Sequence, residues 1–212
     1  MAAYIIISII AYCIGSINFS IIISKKIAGF DVREKGSGNA GSTNVLRAVG
    51  LKPALITLLC DILKGIVTIL IALLVGNLLK DTDKVLLVQL AGIFVILGHT
   101  FPIFYQFKGG KGVATSLGVI LMINWEIGLI CLCFALVIMI FSKMVSMGSV
   151  GAAILFPILI LFIGGNNFIV EASGIRFLVF SLIIAAIIIF NHRENIARIL
   201  NGSENKISFK NK

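Results

Sequence analysis

Three polar stretches carry most of the residues able to do chemistry in this 212-residue chain. The first is Lys35-Gly-Ser-Gly-Asn-Ala-Gly-Ser-Thr-Asn-Val-Leu-Arg47. Its glycines let backbone N–H groups turn toward an anion, and such nests bind phosphate. Ser42, Thr43 or Asn44 is placed to cap a helix starting there. Thr43 and Arg47, four apart, would share a face of that helix. Arg47 can grip a phosphate through two N–H groups. The competing reading is a flexible loop closed by a helix cap.

The second stretch is Gly98-His-Thr-Phe-Pro-Ile-Phe-Tyr-Gln-Phe-Lys-Gly-Gly-Lys-Gly-Val-Ala-Thr115. Lys108, Gly109, Gly110, Lys111 and Gly112 stand just before an apolar run. A glycine-rich turn feeding a helix N-terminus is an anion site by geometry and by dipole. It is not a Walker A loop, because the Gly-x-x-x-x-Gly-Lys-Ser/Thr spacing is not matched. The competing reading is a pair of lysines snorkelling at a bilayer surface. His99 reads first as a hydrogen-bonded structural histidine and only second as a base.

The third stretch is Asn191-His-Arg-Glu-Asn-Ile-Ala-Arg-Ile-Leu-Asn-Gly-Ser-Glu-Asn-Lys206. If the preceding helix runs on, His192 and Asn195 share a face, and Ile196, Ile199 and Leu200 form a stripe suited to a bilayer surface. Gly202 fits the helix C-terminus. The competing reading is a basic tail that only anchors to lipid. Asp61 and Lys64, three apart inside an apolar run, read as a structural ion pair. Ser146, taken alone, reads as a helix cap.

The elements that must hold these stretches are apolar helices. The chain is 59% hydrophobic and 13% charged, with a mean hydropathy of +1.11. A soluble core of this size cannot hide that much apolar surface, so bilayer is the expected solvent. The net charge of +9 would point to nucleic acid in a soluble protein. Here the basic residues lie between apolar runs, where topology, anionic lipid or anionic substrate explains them. Cys13, Cys60, Cys131 and Cys133 sit in apolar stretches and read as packing residues, with neither zinc nor disulfide spacing.

A spanning helix needs about 20 apolar residues. Candidate segments are 4–24, 54–78, 84–104, 113–123, 126–142, 147–164 and 173–191, the fourth being short. The first is too long for a signal-peptide core and lacks a basic flank, so it reads as a retained span. With the N-terminus outside and seven alternating segments, 14 of the 18 Lys and Arg residues fall on the inner side. Merging the fourth and fifth segments would move the basic C-terminal tail across the membrane. The expectation is therefore an all-α integral membrane protein of about seven spans, C-terminus cytoplasmic, with residues 1–212 as one membrane domain and a flexible tail from about 207. That topology gathers the three polar stretches on the cytoplasmic face. It suits a phosphate-bearing substrate meeting a lipid-soluble one, with acyl transfer onto a phosphorylated alcohol as the fitting reaction.

Gly36-Ser-Gly-Asn-Ala-Gly-Ser-Thr-Asn-Val-Leu-Arg47, Gly98-His with Phe107-Lys-Gly-Gly-Lys-Gly-Val-Ala-Thr115, and His192-Arg-Glu-Asn-Ile-Ala-Arg198 with Glu204-Asn-Lys206 resemble the three motif loops of the acyl-phosphate:glycerol-3-phosphate acyltransferases, the PlsY family. Asp61-Ile-Leu-Lys-Gly65 and Ser146-Met-Gly148 resemble further landmarks. Ser42 stands where alanine is common and Met147 where leucine is common. The resemblance covers the chain from the first span to about Lys206. It implies a bacterial inner-membrane enzyme that moves an acyl group from acyl phosphate to the sn-1 hydroxyl of glycerol 3-phosphate, giving lysophosphatidic acid and inorganic phosphate in the first acylation step of phospholipid synthesis. It implies no cofactor, no metal and no nucleic acid, and a hand-off from a soluble enzyme that makes acyl phosphate. By the same resemblance, Ser37, Asn39, Thr43, Asn44 and Arg47 bind substrate phosphate. Lys108, Gly109, Gly110 and Gly112 cradle a second phosphate. Lys111 neutralises the leaving group, and Ser146, His192 and Asn195 orient the attacking hydroxyl. The His-x-x-x-x-Asp signature of thioester-dependent acyltransferases is missing, since Phe104 and Ala197 stand five residues after the two histidines.

Two rival classes remain at this level. A transporter for phosphorylated solutes would be expected to show repeated halves and polar groups at mid-membrane. A phosphatidyl- or polyprenyl-phosphate transferase would need acidic metal ligands, and the spacing of Asp31, Glu34, Glu194 and Glu204 does not suggest a shared ion.

Overall fold

The computed structural model describes residues 1–163 and 174–207, and all regular structure among them is helical. The helices are α1 (Ala2–Ser16), α2 (Phe19–Ala28), α3 (Ser42–Ala48), α4 (Leu51–Leu78), α5 (Lys84–Thr100), α6 (Val113–Ile123), α7 (Trp125–Ser142), α8 (Val145–Ile163), α9 (Gly174–Asn191) and α10 (Arg193–Leu200). Single 3-10 turns cover Val32–Glu34 and Ile103–Tyr105. Six stretches among the described residues are long and apolar enough to cross a membrane: residues 2–28, α4, α5 with the turn after it, α7, α8 and α9. Ile5, Ile9, Leu55, Leu59, Leu74 and Ile140 are exposed, as residues facing lipid must be. The ends expected at 164 and 173, and the tail beyond Ile207, lie outside the described residues.

The first and fourth expected segments differ from their reading. Residues 4–24 do not form one helix. The chain breaks at Ile17 and Asn18, and the Asn18 side chain starts α2 by accepting a hydrogen bond from the Ile21 amide at 3.2 Å. The fourth segment is a separate helix, as expected, but α6 has only 11 residues. At about 1.5 Å per residue it covers roughly half of a hydrocarbon core about 30 Å thick. Gly112 starts it from a left-handed conformation (φ 86°), and Asn124 ends it in an extended one.

The described chain divides into two compact units, Met1–Asn124 and the residues from Trp125 on. In the first, α5 packs on α1 and α4, and α4 packs on α6. Lipid gives little hydrophobic drive for helix association, so close backbone approach must supply the contact. Gly15 and Gly98 do this for α1 and α5: a Cβ on either would run into a backbone carbonyl of the other helix, Val95 O or Tyr12 O. Gly65 and Gly118 play the same part between α4 and α6. In the second unit α8 packs on α7 and α9, and α10 lies against α8 and α9.

Candidate active site

The first glycine-rich loop is pinned at both ends by a small apolar cluster. Val32, Ala40 and Val45 are fully buried with Ile21 and Ala54. Between these anchors Gly36 (φ 60°) and Gly38 (φ 70°) adopt left-handed conformations that cost glycine little. Asn44 holds the loop closed from inside. Its Nδ2 donates to Val32 O at 2.8 Å and Lys35 O at 3.0 Å, and its Oδ1 accepts from the Ser37 amide at 2.9 Å. Ser37 is exposed, Asn39 and Thr43 are half-buried, and Arg47 points from the last turn of α3 with its side chain exposed. The cap of α3 is Gly41, which offers no side chain, rather than Ser42, Thr43 or Asn44. Thr43 and Arg47 stand one turn apart on α3, as expected.

Arg33 ties this loop to the second. Its guanidinium makes a two-pronged contact with Asp31 (Nε to Oδ1 3.0 Å, Nη2 to Oδ2 2.8 Å). Its Nη1 donates to Tyr105 O at 3.0 Å and Lys108 O at 3.2 Å. The Arg33 hydrogen bond brings the Asp31 carboxyl down to about 2, so the pair stays charged at neutral pH. Sequence reasoning gave neither residue a role at the site. The only signal was the Asp-x-Arg spacing, which does not say that Arg33 reaches over 70 residues along the chain.

The second loop folds back on the end of α5. The Gly109 amide donates to Thr100 O at 3.1 Å and the Gly110 amide to His99 O at 3.0 Å. Gln106 (φ 59°) and Phe107 (φ 58°) take left-handed conformations without being glycine, a costly state for such side chains. Gly110 has no room for a side chain: an added Cβ would overlap His99 Nε2 and stand 2.7 Å from Ala40 O. The two glycine-rich loops therefore meet at Gly110, beside His99. Lys108 is exposed and Lys111 half-buried, and Gly112 opens α6. Behind the turn, His99 Nδ1 lies 2.9 Å from Lys64 Nζ, which is 2.9 Å from Asp61 Oδ1. His99, Lys64 and Asp61 are all buried. The expected ion pair and the hydrogen-bonded histidine are thus parts of one cluster.

In the second unit the third stretch folds around a carboxylate. Glu204 Oε1 accepts from Ser146 Oγ at 2.8 Å and Asn195 Nδ2 at 2.6 Å, and Oε2 accepts from Arg198 Nε at 2.8 Å. Burial pushes the Glu204 carboxyl up, but these three donors outweigh it and hold the group below the usual carboxylate range. The helix expected to run on through His192 instead stops at Asn191, and His192 leads into a new helix, α10. His192 is buried and its Nδ1 lies 2.8 Å from Ile188 O. A carbonyl only accepts, so Nδ1 carries the proton there. The end of α10 closes as a Schellman motif, with Gly202 (φ 70°) donating to Ile199 O and Ser203 to Arg198 O, as expected for Gly202. Ser146 stands in the first turn of α8 with Glu204 as its acceptor. Glu204 appeared in the sequence motif without a role; a surface-tail glutamate gives no sign of burial.

Comparison with known proteins gives the family. A family profile described as "Glycerol-3-phosphate acyltransferase" matches residues 5–202. A protein of Clostridioides difficile with that name is 43% identical over 208 residues, covering 98% of this chain and 97% of its own. One of Thermoanaerobacter pseudethanolicus is 41% identical over 203 residues, covering 96% and 95%. The crystal structure of PlsY (YgiH), an integral membrane glycerol 3-phosphate acyltransferase, in its glycerol 3-phosphate form is 36% identical. It superposes with a TM-score of 0.83 over 97% of this chain and 96% of that one. Its lysophosphatidic acid form gives a TM-score of 0.81 at 35% identity, over 97% and 95%.

Proposed function

The chain belongs to the glycerol-3-phosphate acyltransferase family of integral membrane acyltransferases, and on that premise we propose that it moves a fatty acyl group from acyl phosphate to the sn-1 hydroxyl of glycerol 3-phosphate. The products are lysophosphatidic acid and inorganic phosphate. The observation that carries this reading is the Lys108–Gly112 turn, bound by its amides to the end of α5 and opening α6. A cationic turn fixed at a helix N-terminus suits a phosphate on its way to becoming a leaving group.

The sn-1 hydroxyl oxygen attacks the acyl carbonyl carbon. The bond from that carbon to the phosphate oxygen breaks, and the hydroxyl proton ends on the released phosphate. Lys111 and Lys108 neutralise the leaving phosphate, beside Gly112 at the start of α6; Gly109 and Gly110, whose amides are taken by Thr100 O and His99 O, shape the turn. Ser37, Asn39, Thr43 and Arg47 hold substrate phosphate. Asn44 acts one step back: its amide is engaged with loop backbone, so it shapes the loop rather than gripping the anion. Ser146, His192 and Asn195 orient the hydroxyl; the Ser146 O–H is spent on Glu204, which leaves its oxygen as an acceptor, while Asn195 keeps a second amide N–H. Acyl phosphate is already activated, so charge neutralisation and alignment carry most of the rate, with no covalent enzyme intermediate.

The topology we propose has seven membrane segments, α6 being one of partial depth, with the N-terminus outside and the C-terminus in the cytoplasm. The positive-inside distribution of Lys and Arg supports it. We place residues 1–212 in one acyltransferase domain in a bacterial inner membrane, served from the cytoplasm by a soluble enzyme that makes acyl phosphate. The deciding assay offers purified protein glycerol 3-phosphate with palmitoyl phosphate or with palmitoyl-CoA and follows phosphate release and lysophosphatidic acid. The reading requires glycerol 3-phosphate-dependent turnover with palmitoyl phosphate alone. Turnover with palmitoyl-CoA only would refute it.

A further inference from the structure

Lys64 takes no part in the reaction as described, yet it is a buried cation inside the membrane-spanning α4. Four atoms surround its Nζ: Asp61 Oδ1 at 2.9 Å, His99 Nδ1 at 2.9 Å, Ile17 O at 3.0 Å and Gly15 O at 3.1 Å. They come from α4, α5, the last turn of α1 and the break after it. We propose that Lys64, acting through His99, is a positioning residue for the Gly109–Lys111 turn, a role that rests on the assignment of that turn to phosphate.

The argument is one of proton counting. An ammonium has three N–H donors and no acceptor. The carbonyls of Gly15 and Ile17 can only accept, so they take two of the three. The third N–H is left for Asp61 and His99. His99 Nδ1 also lies 3.5 Å from Asp61 Oδ1, but it is closer to the ammonium, at 2.9 Å, and presents its lone pair there, because a proton on that nitrogen would point at a positive charge. The ring proton of neutral His99 is then on Nε2. That edge faces Gly110, where a Cβ would overlap Nε2 and crowd Ala40 O. Lys64 thus selects which edge of His99 is a donor at the junction of the two glycine-rich loops. The His99 and Thr100 carbonyls, on the same stretch of backbone, accept from the Gly110 and Gly109 amides. Any shift of the histidine is passed to the turn. Asp61 neutralises the cation, which is what makes a charge tolerable at this depth.

A merely structural ion pair would predict something different, and three variants separate the two. His99→Asn keeps an acceptor near Lys64 but cannot reach Gly110. His99→Gln restores an N–H at the Nε2 position. The double variant Lys64→Met with Asp61→Leu removes the charge pair without leaving one ion buried alone. The probe is inorganic phosphate, titrated calorimetrically against purified full-length protein in nanodiscs, with a melting curve for each variant. The expected result is phosphate affinity about tenfold weaker in His99→Asn and in the double variant, the size of one hydrogen bond. His99→Gln recovers most of it, and all three melt cooperatively. Unchanged phosphate affinity in His99→Asn and the double variant overturns the proposal, whatever happens to their melting temperatures. Absence of saturable phosphate binding by the unmodified protein overturns it too. Phosphate binding that follows the expected pattern, without turnover of palmitoyl phosphate, would remove the proposed acyl donor and leave this inference standing.

Discussion

Replacing Asn44 by Asp changes almost no volume but reverses two hydrogen bonds. The Asn44 amide nitrogen now donates to Val32 O and Lys35 O, and its oxygen accepts from the Ser37 amide. An ionised aspartate keeps the Ser37 contact and sets an oxygen against two carbonyls. The lost bonds cost about 1 kcal/mol each, plus the penalty of leaving buried acceptors unpaired. Protonation offers an escape, since a carboxylic acid can donate one of the two bonds. Holding a carboxyl with an ordinary pKa near 3.9 in its acid form at pH 7 costs about 4 kcal/mol, at 1.36 kcal/mol per unit. The loop should therefore lose roughly 2–5 kcal/mol of closed-state stability at neutral pH. The assay is the KM for glycerol 3-phosphate across pH, alongside a thermal melt. A loss of 3 kcal/mol is about a 150-fold shift in the open–closed balance, enough to raise KM well above tenfold at pH 7. The defect should shrink as pH falls toward 5 and the acid form becomes accessible. A variant with KM within twofold of the parent at pH 7, or a defect independent of pH, would refute the view that Asn44 works by holding the loop.

Glu204→Gln should lower stability by about 2–4 kcal/mol, because the carboxylate charge behind all three bonds is lost and the new amide N–H is set against a former donor; a melt within 1 kcal/mol of the parent would show the cluster to be dispensable. Asp31 is held at about 2 by Arg33. Its folded-state pKa lies below the unfolded one, so the stability it supplies is present above about 3.8 and is lost as pH falls from there through about 2. Asp31→Asn should accordingly melt lower than the parent at pH 7 and converge with it near pH 2, in melting curves recorded as a function of pH. Gly110→Ala places a Cβ 2.7 Å from the Ala40 carbonyl oxygen, and the forced backbone shift should cut activity more than tenfold, the scale of a misplaced loop; normal kinetics would mean that the junction gives way cheaply. Lys111→Ala should lose most turnover and Lys111→Arg should recover most of it, in the palmitoyl phosphate assay, whereas near-normal activity in the alanine variant would defeat its role at the leaving group. His192→Ala should keep a substantial rate with an unchanged pH–rate profile if the substrate phosphate takes the proton.

The membrane class was legible from the chain because it depends on apolar length, which is a sum over neighbours. Six of the expected segments have that length in the structure. Glycines, lysines and Arg47 also marked the two loops proposed to bind anions, by type and spacing alone. Which groups are occupied inside those loops was not legible. Asn44 had the look of a phosphate ligand, but its partners lie in residues 32–37 and use its whole amide. Glu204 sits in a polar tail and gathers a serine 58 residues away. Lys64 and Asp61 could be paired from their spacing, since one turn of helix brings them together. The ties to Gly15, Ile17 and His99 needed three elements to be packed first. The broken first segment has the same origin: its carbonyls at the break find their donor on another helix. Local sequence therefore settled solvent and helix content, and marked the candidate loops, because these follow from neighbours in the chain. Tertiary structure settled every hydrogen-bond partner that crosses between elements, because those depend on distances no single segment encodes.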